Sequence, residues 1–119
     1  MRIIIAGAGE VGTHLAKMLS RESHEIVMID SDNERLKNLA VTCDLLTLRG
    51  DVTSKKFLIE AGVGNANLFI AVTPWDDTNI VSAIMAKKLG AKLTVVRISD
   101  EETVNRETRD TFSKTLSYR

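Results

Sequence analysis

A chain of 119 residues with 44% hydrophobic side chains has the size of one domain with a real core, enough for a five-stranded sheet with helices but not for a second, substrate-enclosing domain. Sixteen Lys and Arg against sixteen Asp and Glu leave no net charge, so no overall field draws nucleic acid or anionic lipid to it. Cys43 is the only cysteine, which excludes an intrachain disulfide and a cysteine-based zinc cluster, and apolar runs of about five residues fall far short of the roughly 20 that span a bilayer. The first strand begins directly after Met1 with no hydrophobic leader, and a reducing, cytoplasmic setting is the default expectation.

In chain order, Arg2 to Ala6 reads as a first strand, followed by Gly7-Ala8-Gly9-Glu10-Val11-Gly12 and a helix with Val11, Leu15, Met18 and Leu19 at helical spacing. Arg21-Glu22-Ser23 closes that helix, and Glu25 to Asp30 is a second apolar strand. Ser31 or Asp32 can cap the next helix, whose stripe is Leu36, Leu39, Ala40 and Cys43, with Cys43 a small core residue on its inner face. Asp44 to Arg49 reads as strand three, ending in Gly50-Asp51. Thr53 or Ser54 opens a short helix with Phe57, Leu58 and Ala61 inward, stopped by Gly62 and Gly64. Leu68 to Val72 is strand four, Thr73-Pro74-Trp75-Asp76-Asp77 a loop, and the helix after it carries Ile80, Ile84, Met85 and Leu89 before Gly90. Leu93 to Ile98 is strand five, and Asp100-Glu101-Glu102 opens a last helix. A unit of residues 1–104 is therefore expected, with a polar tail over 105–119 that is either a helix or the truncated start of a longer chain.

Strict alternation of strand and helix predicts an α/β fold, a doubly wound, Rossmann-like parallel sheet of five strands in the order 3-2-1-4-5, helices on both faces. Ligands in such sheets bind outside the carboxyl ends of the strands, at the reversal between strands one and four. That topology alone selects Gly7 to Gly12, Asp30, Asp51, Thr73 and Arg97 as candidates.

The spacing G-x-G-x-x-G gives each glycine a task. Gly7 permits the tight turn, Gly9 lets backbone approach a pyrophosphate, and Gly12 lets helix pack closely on strand. The anion then sits on unpaired N–H groups at the positive end of a helix dipole. Asp30, eighteen residues past Gly12, is placed to accept hydrogen bonds from both ribose hydroxyls of an adenosine, and its charge repels a 2'-phosphate.

Catalytic residues are scarce. His14 and His24 read as surface or packing residues, Tyr118 has no lysine four residues later, and Asp76 with Asp77 reads as helix capping before it reads as a cation site. Trp75, near the crevice mouth, touches either a ligand, a partner or neighbouring apolar atoms. A nicotinamide dehydrogenase needs a general acid or base and more chain around its substrate.

Taken together, residues 3–12, Asp30, Arg49-Gly50-Asp51-Val52-Thr53, Ala71-Val72-Thr73, Asn79 and Val96-Arg97-Ile98-Ser99 closely resemble the TrkA N-terminal (RCK/KTN) domain family of Trk potassium uptake regulators. The resemblance runs from residue 1 to about residue 100. It implies a non-enzymatic module that binds NAD(H), or in relatives ATP or ADP, and reports occupancy to the membrane subunit of a Trk-type potassium channel. By position, the loop of Gly7, Ala8, Gly9, Glu10, Val11 and Gly12 would hold the pyrophosphate, and Asp30, with Ser31 beside it, the adenosine ribose. Gly50 and Asp51 would lie at the adenine, and Thr73 and Arg97 on the other side of the crevice. ATP-responsive relatives often carry arginine where this sequence has Glu10, whose carboxylate repels a γ-phosphate; with Asp30 this favours NAD(H). The family also implies a homo-oligomer held at the inner face of the membrane by its channel partner, without insertion and without nucleic acid. Its usual pattern continues into a sixth strand and a second domain, from which this sequence departs after about Asn105. The cofactor domain of an NAD-dependent oxidoreductase and a pure interaction domain are the alternatives.

Overall fold

The computed structural model describes residues 1–98, so the expected helix at Asp100, the tail, Ser99 and Tyr118 lie outside the described residues. Five parallel strands, β1 (Arg2–Ala6), β2 (Glu25–Asp30), β3 (Leu46–Arg49), β4 (Leu68–Ala71) and β5 (Leu93–Val96), form one sheet in the order β3-β2-β1-β4-β5. The connecting helices are α1 (Glu10–Leu19), α2 (Asn33–Thr42), α3 (Lys55–Glu60) and α4 (Asp76–Leu89), and a 3-10 turn lies at Val63–Asn65.

Each central strand is buried on both faces, and the strand period of two splits it between two cores. Ile4, Ala6, Val27, Ile29, Phe69 and Ala71 face α3 and α4, meeting Leu58, Ala83 and Ala86. Ile3, Ile5, Ile26, Met28, Ile70 and Val72 face α1 and α2, meeting Ala16, Leu36 and Leu39. The register pairs Ala6 with Ile29 and with Ala71, and Asp30 with Arg49, so the ends of all three central strands open on one edge.

Several boundaries and faces differ from those the sequence suggests. β3 starts at Leu46 rather than Asp44, β4 stops at Ala71 and β5 at Val96. Ala40 is exposed, and Cys43 is buried at the C-cap of α2 rather than within the helix. On α4 the fully buried residues are Asn79, Ser82, Ala83 and Ala86, whereas Ile84 is exposed and Ile80, Met85 and Leu89 are half-buried. Small side chains on that face let the helix sit close to β4 and β5, so packing distance rather than hydrophobicity sets its orientation. Asp32 caps α2 through its carboxylate, and Ser54 caps α3. Trp75, not Asp76 or Asp77, is the N-cap residue of α4, and it makes no side-chain capping bond.

Candidate functional site

The glycine turn is held by three separate contacts. Gly7 has φ of 118°, a left-handed backbone that favours glycine, and donates its N–H to Ile29 O at 2.8 Å. A Cβ on Gly7 would sit 2.9 Å from the backbone of Val72 and Thr73, and one on Gly12 would overlap the Gly7 carbonyl oxygen. Gly7 excludes a side chain because the turn lies against the backbone that follows β4, and Gly12 because the first turn of α1 lies against the Gly7 carbonyl. Gly9 is different: it has ordinary extended geometry and nothing within 4 Å of a built Cβ. As N-cap of α1 it provides no side-chain capping bond, and the first intrahelical bond is Thr13 N–H to Gly9 O at 2.9 Å. The N–H groups of Glu10, Val11 and Gly12 thus have no intrahelical acceptor and form the positive end of the helix.

Asp30 closes the turn from the neighbouring strand. Its Oδ2 accepts the Ala8 N–H at 2.7 Å and its Oδ1 the Asp32 N–H at 2.8 Å. Each carboxylate oxygen retains a second lone pair, so the residue can fix the loop and still accept a ribose hydroxyl. Across the turn, Asp51 Oδ1 accepts from Thr53 Oγ1 at 2.6 Å and from Thr53 N–H at 2.8 Å. The Thr53 hydroxyl first, then its N–H, holds the Asp51 carboxyl below the usual aspartate range, against a smaller opposing effect of desolvation.

These groups surround a cleft of about 560 Å³ over the carboxyl ends of β1, β2 and β4. Of the residues singled out from sequence, Gly7, Gly9, Asp30, Ser31, Gly50, Asp51, Thr73 and Trp75 line it. Ala8, Glu10 and Val11 instead line, again with Gly9, an adjoining depression of about 730 Å³ along α1, together with Thr13, His14 and Lys17. Gly12 is buried at the helix–strand contact. Arg97 follows β5 with its N–H on Ala71 O at 3.0 Å and is exposed, and it lines neither space. Thr73 presents little free hydrogen-bonding capacity, since its N–H, hydroxyl and carbonyl are all bonded to Asn79.

Arg35, Pro74 and Thr78 also line the cleft and were not singled out from the sequence. Arg35 borders both spaces and lies 3.7 Å from Asp32, one helical turn earlier. Its signal was its place in the first turn of the helix after strand two, which this topology points at the crevice. Three carboxylates, Asp30, Asp32 and Asp51, share the cleft lining with that one guanidinium. The groups in this cleft that could receive an anion are therefore chiefly backbone N–H groups rather than a basic cluster. His14 is exposed, and His24 lies at the opposite edge of the sheet, where its ring meets Glu22 at 3.1 Å. Among the described residues no group of three or more His, Cys, Asp or Glu could hold a metal ion, and no helix is long and apolar enough to cross a membrane.

Comparison with known proteins gives a consistent result. The TrkA-N domain family model matches residues 3–117. A Trk system potassium uptake protein TrkA homolog from Archaeoglobus fulgidus is 42% identical over 106 residues, covering 89% of this chain but 24% of the relative. The chain thus spans about a quarter of that relative's length. Among solved structures, the NAD(P)-binding domain of an exopolyphosphatase-related protein from Archaeoglobus fulgidus superposes with a TM-score of 0.78 at 14% identity, over 98% of this chain and 83% of that one. The Kef CTD of Shewanella denitrificans in AMP-bound form gives 0.74 at 21% identity, over 100% of this chain and 70% of that one. At these identities the structures speak for the fold alone.

Proposed function

Since the chain belongs to the TrkA-N domain family, whose model covers residues 3–117, we propose that it is a nucleotide-binding regulatory module of a Trk-type potassium uptake system, with NAD(H) as its ligand. The observation that carries this reading is the uncapped α1 N-terminus at Gly9, open in front, with Asp30 at its side. A pyrophosphate on the N–H groups of Glu10 to Gly12 would bring the attached adenosine ribose to Asp30 and its base toward Gly50 and Asp51. The second half of a dinucleotide would extend toward Thr73, Trp75 and the β5 end near Arg97. The relatives' names supply the potassium system.

Charge favours NAD(H) over ATP. Two carboxylate-rich turns and the Glu10 side chain at the start of α1 oppose the extra charge of a triphosphate. A like charge about 4 Å away costs about 1 kcal/mol in water and more in a cleft. Regulation follows if oxidised and reduced ligand bind two arrangements of the assembled module with different affinity. Contacts shared by both forms, at Asp30 and the glycine turn, cannot discriminate them; the far side of the cleft must. The module is read as non-enzymatic, homo-oligomeric and held at the inner membrane face by the channel subunit. An oxidoreductase cofactor domain is the second reading, because the chain shares its fold with an NAD(P)-binding domain.

A thermal-shift panel with NAD, NADH, AMP, ADP, ATP and NADPH tests the proposal. NAD or NADH is expected to raise the melting temperature most; a larger shift with ATP would replace the ligand, and turnover of NADH with a carbonyl substrate would promote the second reading.

A further inference from the structure

Asn79, in the first turn of α4, is completely buried, yet its amide has four hydrogen-bonding positions to satisfy. All four are used. Oδ1 accepts from Thr73 N–H at 2.8 Å and from Thr73 Oγ1 at 2.6 Å, while Nδ2 donates to Thr73 O at 3.0 Å and to Arg97 O at 3.0 Å. The orientation of the amide is fixed by this set, because the flipped form would aim NH2 at the Thr73 N–H. The Asn79 N–H adds a bond to Trp75 O at 3.0 Å.

Three of the side-chain bonds grip one residue of the cleft loop, and the fourth reaches across to the end of β5. Fastening α4 to β4 needs only the Thr73 contacts. The reach to Arg97 is a separate feature, made by the second N–H of the same Nδ2 that holds Thr73 O. We propose that Asn79 is a positioning residue that couples occupancy of the nucleotide cleft to the point where the chain leaves β5. A ligand that meets Trp75 and Pro74 from the cleft side acts on a loop whose anchor residue, Thr73, cannot shift without moving the amide. The same amide holds the Arg97 carbonyl, so two arrangements of the loop become two arrangements of the strand end. This inference rests on the nucleotide reading above.

The test is an NMR titration of the isotopically labelled 119-residue chain with NADH, combined with amide hydrogen exchange. The Asn79 side-chain NH2 and the Arg97 carbonyl are expected to shift with the same apparent Kd as Gly9, and exchange of the Arg97 amide, which bonds Ala71 O, to slow by about threefold or more. Asn79→Asp keeps both acceptor contacts to Thr73 and replaces the two N–H donors by none in the carboxylate or a single O–H in the neutral acid, so the Thr73 O and Arg97 O contacts can no longer both be made. It is expected to retain NADH affinity within about fivefold while the slowing at Arg97 disappears. A folded Asn79→Asp that still transmits the slowing overturns the proposal. So does a wild-type chain in which Gly9 shifts on binding and Asn79 and Arg97 do not, a result that needs no variant to fold. Failure of the wild type to bind NADH, NAD, AMP or ATP at all overturns the nucleotide reading and this coupling together.

Discussion

The glycine turn makes a prediction in which two similar substitutions have opposite consequences. Gly9→Ala places a Cβ where nothing lies within 4 Å, on a backbone with φ of −79° that alanine adopts freely. Reduced freedom in the unfolded chain favours the variant by about 0.4–1 kcal/mol, and the poorer N-cap costs a similar amount, so stability stays within about 1 kcal/mol. Gly12→Ala puts its Cβ into the Gly7 carbonyl oxygen, which is backbone and cannot rotate away. Overpacking of about 3 kcal/mol, less about 1 kcal/mol of gained helix propensity, leaves a net loss of about 2 kcal/mol. For a domain of this size that is a fall in Tm of about 8 °C. Ligand response reverses the order. NADH at about 100 times Kd stabilises the wild type by about 2.7 kcal/mol, whereas a tenfold weaker site in Gly9→Ala retains about 1.4 kcal/mol at the same concentration. Calorimetric melting with and without NADH reads both quantities. A Gly9→Ala protein with the full ligand-induced shift, or a Gly12→Ala protein as stable as wild type, refutes the assignment of roles within the turn.

Further expectations follow from the same geometry. Asp30→Ala leaves the Ala8 and Asp32 N–H groups without their carboxylate, so it is expected to lose about 1–3 kcal/mol of stability in denaturant titration as well as NADH binding. Wild type is expected to bind NADH at least about tenfold tighter than NADPH, and Asp30→Ser to narrow that ratio; equal affinities in the wild type would refute the role of the carboxylate. Trp75, 62% exposed at the cleft, is expected to report NADH by fluorescence quenching, and Trp75→Ala to weaken binding by about two- to tenfold with Tm unchanged. Asp51 has a lowered folded-state pKa, so its contribution to stability is complete above the unfolded value of about 3.9 and is lost as pH falls through the lower native value. Thr53→Ala is expected to flatten the acid limb of the stability profile below about pH 4, and an unchanged limb would show that the Thr53 bonds do not set it.

Much of this was legible because it rests on periodicity and on glycine. Continuous Ile and Val runs announced strands buried on both faces, and their alternation with helices fixed the order 3-2-1-4-5 that the sheet shows. What sequence did not resolve is where packing distance or a polar network decides. The apolar positions Ile80 and Ile84 suggested one face of α4, but Ala83, Ala86 and Ser82 occupy the sheet contact because the helix lies too close for larger side chains. Ala40 joined the stripe of α2 by spacing and is exposed, since only Leu36 and Leu39 reach the sheet. Asn79 stood out in the resemblance, but its buried bonds to Thr73 and Arg97 join residues six and eighteen positions apart, which no local pattern encodes. Arg35 was missed because an arginine in a first helical turn looks solvated until the turn is seen over the cleft.

The most direct test of the central claim is calorimetric titration of the wild-type chain with NADH and, separately, with ATP, each repeated on Gly9→Val. The account predicts that NADH binds one site per chain more tightly than ATP and that Gly9→Val abolishes it while remaining folded. Tighter binding of ATP, or NADH binding that survives in Gly9→Val, would contradict it.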